Sequence, residues 1–92
     1  MPEPLYARAA PLLEAEVEEE IVALDREQGE VFGFNRVASD VWRLLEQPRT
    51  FADLCSELQN LYDVAPDRCA EDTRDLLDEL TQLKLVRRIP EA

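Results

Sequence analysis

Polar and apolar positions repeat with one period in the first third of the chain and with another in the rest. Leu13, Ala15 and Val17 alternate with Glu14 and Glu16, the two-residue period of a strand with one buried and one wet face. Glu18, Glu19 and Glu20 interrupt it, and they read as a solvated turn because a hairpin tip splays carboxylates that a metal would need convergent. Ile21-Val22-Ala23-Leu24 is a second run, closed by Asp25-Arg26-Glu27-Gln28-Gly29, a hairpin loop in which Gly29 can take positive φ. Glu30-Val31-Phe32-Gly33-Phe34 follows, so the pattern predicts a three-stranded antiparallel meander. Gly33 inside so short a strand marks a bulge or a close approach to the backbone. Residues 1–11, Pro- and Ala-rich without alternation, read as an irregular lead-in to a single domain at 12–89.

From residue 35 the period becomes helical. Asn35 is placed to cap a helix whose apolar face is Val37, Ala38, Val41, Trp42 and Leu45, with Trp42 as the core anchor and Pro48 as the stop. Thr50 caps a second helix with the stripe Phe51, Leu54, Cys55, Leu58 and Leu61. Pro66 suits the first turn of a third, whose stripe is Cys69, Thr73, Leu76, Leu77, Leu80 and Leu83. Leu85-Val86-Arg87-Arg88-Ile89 returns as an extended tail. Strands followed by helices make an α+β domain.

Composition narrows the function classes. With 92 residues the chain has one modest core, and a net charge of −11 repels phosphate backbones and anionic lipid. Only Arg87 and Arg88 sit together, too little for a basic patch. Two Cys fourteen residues apart, with no export signal at the N-terminus, read as reduced thiols in a cytoplasmic protein, and no apolar run approaches a membrane span.

Catalysis finds little support. The chain has no histidine, which removes the commonest general base, the Ser-His and Cys-His dyads and every His-containing metal site. Ser39 and Ser56 have no GxSxG context, and no Gly-rich loop could cradle a phosphate. The reading is a non-enzyme with no cofactor and no metal. Asp72, Asp75 and Glu79 share a helix face, which is ordinarily solvated but would attract a Lys or Arg if it borders the sheet edge.

Two binding forms remain. Three helices and an extended tail fit the outline of a winged helix-turn-helix, yet the third helix sets Arg68 and Arg74 against Asp67, Glu71, Asp72, Asp75, Asp78 and Glu79, which disfavours DNA. The other form is strand addition. Residues 30–34 carry no Lys or Pro to blunt an edge that an extended peptide can complete.

The run Leu24-Asp25…Gly29-Glu30-Val31-Phe32-Gly33-Phe34-Asn35…Ala38…Val41-Trp42-Arg43-Leu44-Leu45 resembles the PqqD-like family, the recognition elements of ribosomally made, post-translationally modified peptides. So do Pro48-Arg49-Thr50-Phe51…Leu54…Leu58…Tyr62-Asp63-Val64 and Asp72…Leu76-Leu77…Leu80…Leu85-Val86. Gln47-Pro48-Arg49-Thr50 looks most like stand-alone leader-binding proteins of lasso-peptide pathways. Ala65 stands where an Asp or Asn cap is usual, and Lys84 where a glycine often ends the last helix. The resemblance implies a winged helix-turn-helix-like domain with an N-terminal three-stranded sheet. It implies that a precursor's leader adds as a fourth strand and is delivered to a maturation enzyme, a leader peptidase followed by a cyclase. Alternatives are a chaperone for a radical-SAM enzyme or an acidic winged-helix regulator. Carried over, the main-chain contacts fall on Glu30, Val31, Phe32, Gly33 and Phe34, and the pocket on Phe32, Phe34, Cys69, Asp72, Thr73 and Leu76. The same flat edge permits an edge-strand homodimer.

Overall fold

The computed structural model describes residues 3–90; Met1 and Pro2 of the expected lead-in lie outside them, as do the last two residues. In chain order the elements are β1 (Leu5–Arg8), β2 (Leu13–Val17), β3 (Glu20–Asp25), β4 (Glu30–Gly33), α1 (Arg36–Leu44), β5 (Arg49–Thr50), α2 (Phe51–Leu61), α3 (Pro66–Gln82) and β6 (Val86–Ile89). The expected meander is the antiparallel sheet β2-β3-β4, and three helices follow it in an α+β fold. A second sheet, β5-β1-β6, was not foreseen. Leu5 pairs with both Thr50 and Ile89, so part of the expected irregular lead-in is a central strand. Its partners lie far along the chain and only Ala7 in it is buried, so no local periodicity marks it.

Local chemistry sets the element ends. Asn35 Oδ1 accepts the Ala38 amide at 2.8 Å and Thr50 Oγ1 the Asp53 amide at 3.1 Å, so both anticipated caps form. Pro66 opens α3, and Ala65 supplies no side-chain cap. At the far end Lys84 takes φ 63°, while Lys84 N donates to Thr81 O and Leu85 N to Leu80 O. That is a Schellman closure with lysine in the left-handed position usually given to glycine. Helix α1 ends at Leu44, and a turn leads past Pro48 to Arg49 and Thr50, which pair with β1. The β2–β3 hairpin turns on Glu18 and Glu19, both at positive φ (52° and 70°), a mirror-type two-residue turn, and Glu20 already belongs to β3. Gly29 has φ 68°, as anticipated for its loop, and Asp25 Oδ1 accepts the Glu27 and Gln28 amides.

The core centres on Trp42, 1% exposed, with Phe34 tilted against it at 5.5 Å and Arg8 stacked over its ring at 4.5 Å. Val41, Leu45, Leu54, Leu58, Leu77 and Leu80 fill the rest. Leu61 and Leu83, expected in the inner stripes, are exposed at 58% and 45%.

One strand face is inverted. Every residue of β2 is exposed, and the glutamates, not the apolar residues, face the helices. Glu14 Oε2 accepts Trp42 Nε1 at 2.9 Å, and Glu16 pairs with Arg43. Directly opposite residues share a face, so Glu14 and Glu16 lie with buried Ala23 and Ile21. Leu13, Ala15 and Val17 lie with Leu24 and Val22 on the outer face. Alternation supplies two faces; the polar partners Trp42 Nε1 and Arg43 determine which turns inward.

Candidate peptide-binding groove

The free edge of β4 can be assigned atom by atom. Phe34 N donates to Ile21 O at 2.9 Å, and the register sets Val22 opposite Gly33, Ala23 opposite Phe32 and Leu24 opposite Val31. Hydrogen-bonded and non-bonded pairs alternate in an antiparallel ladder, so Phe34, Phe32 and Glu30 turn their main-chain groups toward β3. Val31 and Gly33 therefore turn their N–H and C=O outward, away from the sheet. No ladder bond of the β2-β3-β4 sheet uses them.

The position of that end of β4 is fixed by a buried hydroxyl. Ser39 on α1, fully buried, accepts the Ile21 amide at 2.9 Å and donates to Phe34 O at 3.1 Å. It thereby bridges the one pair where strand gives way to helix and ties the edge strand to α1.

Beside this edge runs a groove of about 270 Å³. Its β4 side is Val31, Phe32, Gly33 and Phe34, its end Asn35 and Ala38, and its far wall Leu76, Glu79, Leu80 and Leu83 of α3. Gly33 is regular strand here, with neither bulge nor positive φ, and a Cβ added to it would meet nothing within 4 Å. It shares the outer face with Val22, so the missing side chain opens that face and not the groove. Phe34 is 6% exposed and serves the core as much as the groove.

The structure divides the remaining candidates between two places. Leu76 lies in the groove with Phe32 and Phe34. Cys69, Asp72 and Thr73 line a second, mostly apolar cavity of about 350 Å³, closed by Val37, Leu58, Tyr62, Asp63 and Val64. Glu30 lies on β4 and lines neither. Leu80, Leu83 and Val37 were expected in core stripes and not at the site, and Glu79 only on an acidic face shared with Asp72 and Asp75, because a one-residue change in helix rotation decides which stripe faces the edge. Signals for Leu83 and Val37 existed: both are apolar residues on helices that the core leaves exposed, at 45% and 40%.

Two groups near the second cavity, Tyr62 and Cys55, are biased toward their protonated forms. Burial, then the hydrogen bond to Asp40 and its charge, push the Tyr62 phenol up to about 12. Burial pushes the Cys55 thiol up, and Cys69 Sγ lies 3.7 Å from Cys55 O, both cysteines being free. Such thiols behave as small apolar groups. Among the described residues no three His, Cys, Asp or Glu converge as a metal site, and no helix is long and apolar enough to cross a membrane.

An open strand edge set along a helix-walled groove is a surface that an extended chain can complete. The chain belongs to the PqqD family: the model for coenzyme PQQ synthesis protein D matches residues 20–86. Among solved structures it is similar to TbiB1 in complex with the TbiA(beta) leader peptide. The TM-score is 0.78 at 26% identity, over 88% of this chain and 94% of that one. It also shares its fold with a lasso peptide synthetase B1 complexed with the leader peptide, at TM-score 0.73 and 23% identity, over 89% and 96% of the two chains. No significant match exists among curated proteins.

Proposed function

We propose that this protein binds the leader segment of a ribosomally made precursor peptide by strand addition at β4 and delivers it to a separate maturation enzyme, itself catalysing nothing. The observation that carries the reading is the outward-facing main chain of Val31 and Gly33 along the groove between β4 and α3. The relatives solved with leader peptides share the whole fold, which supports it. Main-chain pairing sets register, and the two cavities along α3 take the leader's anchor side chains. The binding unit is residues 12–89, braced by β1, and acts in the cytoplasm.

Delivery uses the other side of the sheet. Leu13, Val17, Val22 and Val31 leave 52%, 57%, 39% and 67% of their surface exposed on the outer face. A leader strand added beside β4 extends that face with its own alternate side chains, so a maturation enzyme docking there contacts protein and leader together. In the lasso-pathway reading the enzyme is a leader peptidase, acting before a cyclase. The match to a coenzyme PQQ synthesis protein favours a second reading, a radical-SAM peptide-modifying enzyme in the same place. Without peptide, the β4 edge is open to a second copy of the chain.

The test is titration of a labelled leader, encoded beside this gene, into the purified protein. Saturable binding is expected, weakened in Gly33→Pro and retained in Val22→Asp, which lies outside the groove. Cleavage or modification by the neighbouring enzyme is expected to fail in Val22→Asp. Absence of saturable leader binding would sink the proposal.

A further inference from the structure

Resting on that reading, α3 carries one feature that strand addition alone does not use. Asp72, Leu76, Glu79 and Leu83 follow one another at spacings of four, three and four, so acid and leucine alternate along a single stripe of α3. Asp72 already has a cation: its carboxylate is 3.4 Å from Arg68. Glu79 makes no ion pair among the described residues. Asn35, the other polar side chain of the groove, is spent on the Ala38 amide. Glu79 is solvent-exposed without a bound peptide, and Leu76, Leu80, Leu83, Phe32 and Phe34 line the same groove.

A peptide laid along β4 covers this carboxylate and strips water from it. A charge closed into apolar surroundings without a partner opposes binding, whereas a cation brought by the peptide turns it into a charge-assisted pair. We propose that Glu79 is a specificity-determining residue that selects a leader carrying Lys or Arg on its groove-facing side, with an apolar side chain two residues away. The two-residue spacing follows from the strand period, which sends alternate side chains to the same face. Leu76 and Leu83 flank Glu79 along the helix and receive the apolar neighbours.

The experiment selects an mRNA-displayed library of random twelve-residue peptides on immobilised full-length protein, in wild-type, Glu79→Gln, Glu79→Lys and Gly33→Pro forms. Wild type is expected to enrich peptides with one Lys or Arg at a fixed place beside an apolar position, and Glu79→Lys to exchange that preference for Asp or Glu. Replacing the enriched cation by Gln in a resynthesised peptide is expected to weaken binding to wild type about tenfold or more, and binding to Glu79→Gln far less. Two results overturn the assignment of Glu79 and leave the groove standing. One is enrichment that depends on Gly33 but shows no basic preference; the other is a basic preference that survives in Glu79→Gln. Enrichment no greater on wild type than on Gly33→Pro overturns both this inference and strand addition itself.

Discussion

Gly33→Pro isolates the main-chain edge from everything else in the protein. The Gly33 N–H points away from β3, so its removal breaks no bond of the β3–β4 ladder. Phe32, which precedes it, is already extended, as the residue before a proline prefers, and there is free space around Gly33. The free protein should therefore keep its fold, with circular dichroism and melting temperature close to wild type. Binding is another matter. Val31 and Gly33 each offer a donor and an acceptor to an added strand, and the proline ring removes one donor and holds the peptide off at the neighbouring acceptor. Two bonds at a net contribution of about 0.5–1.5 kcal/mol each give a loss of about 1–3 kcal/mol, or about fivefold to 150-fold in Kd. Fluorescence anisotropy with a labelled leader reads this directly. Phe32→Pro is the opposite control, since it removes an amide directed at Ala23 and should destabilise the sheet itself. A folded Gly33→Pro protein with unchanged Kd would refute the edge assignment.

Other variants probe the scaffold behind the edge. Ser39→Ala leaves the buried Ile21 amide and Phe34 carbonyl without their bridge and should cost about 1–3 kcal/mol in urea denaturation. Lys84→Gly relieves a left-handed lysine and should stabilise by about 0.5–1 kcal/mol, raising the melting temperature. The Tyr62 phenol is raised from 10.0 to about 12, so the folded state favours its protonated form. That contribution is fully present below pH about 10 and lost as pH rises through about 12. Melts across that window should show a decline that Tyr62→Phe lacks, and in Asp40→Asn the tyrosinate absorbance midpoint should fall back toward 10.

Much of the architecture is legible along the chain because it depends on neighbours in sequence. The change from a two-residue to a helical period separates sheet from helices. Asn35, Thr50 and Pro66 open the three helices through contacts no more than a few residues long. Phe32, Phe34 and Leu76, named through the family resemblance and not through the periodicity, line one groove. What the chain could not display was every choice that depends on a distant partner. The inward turn of Glu14 and Glu16 needs Trp42 and Arg43 opposite them, and β1 exists only because β5 and β6 close around it. The outward aim of Val31 and Gly33 follows from their register with β3, and the presence of Glu79 in the groove follows from the rotation of α3. Periodicity fixes that an element has two faces. Only the packing of one element on another decides which face meets a partner, and the binding edge of this protein is made of such decisions.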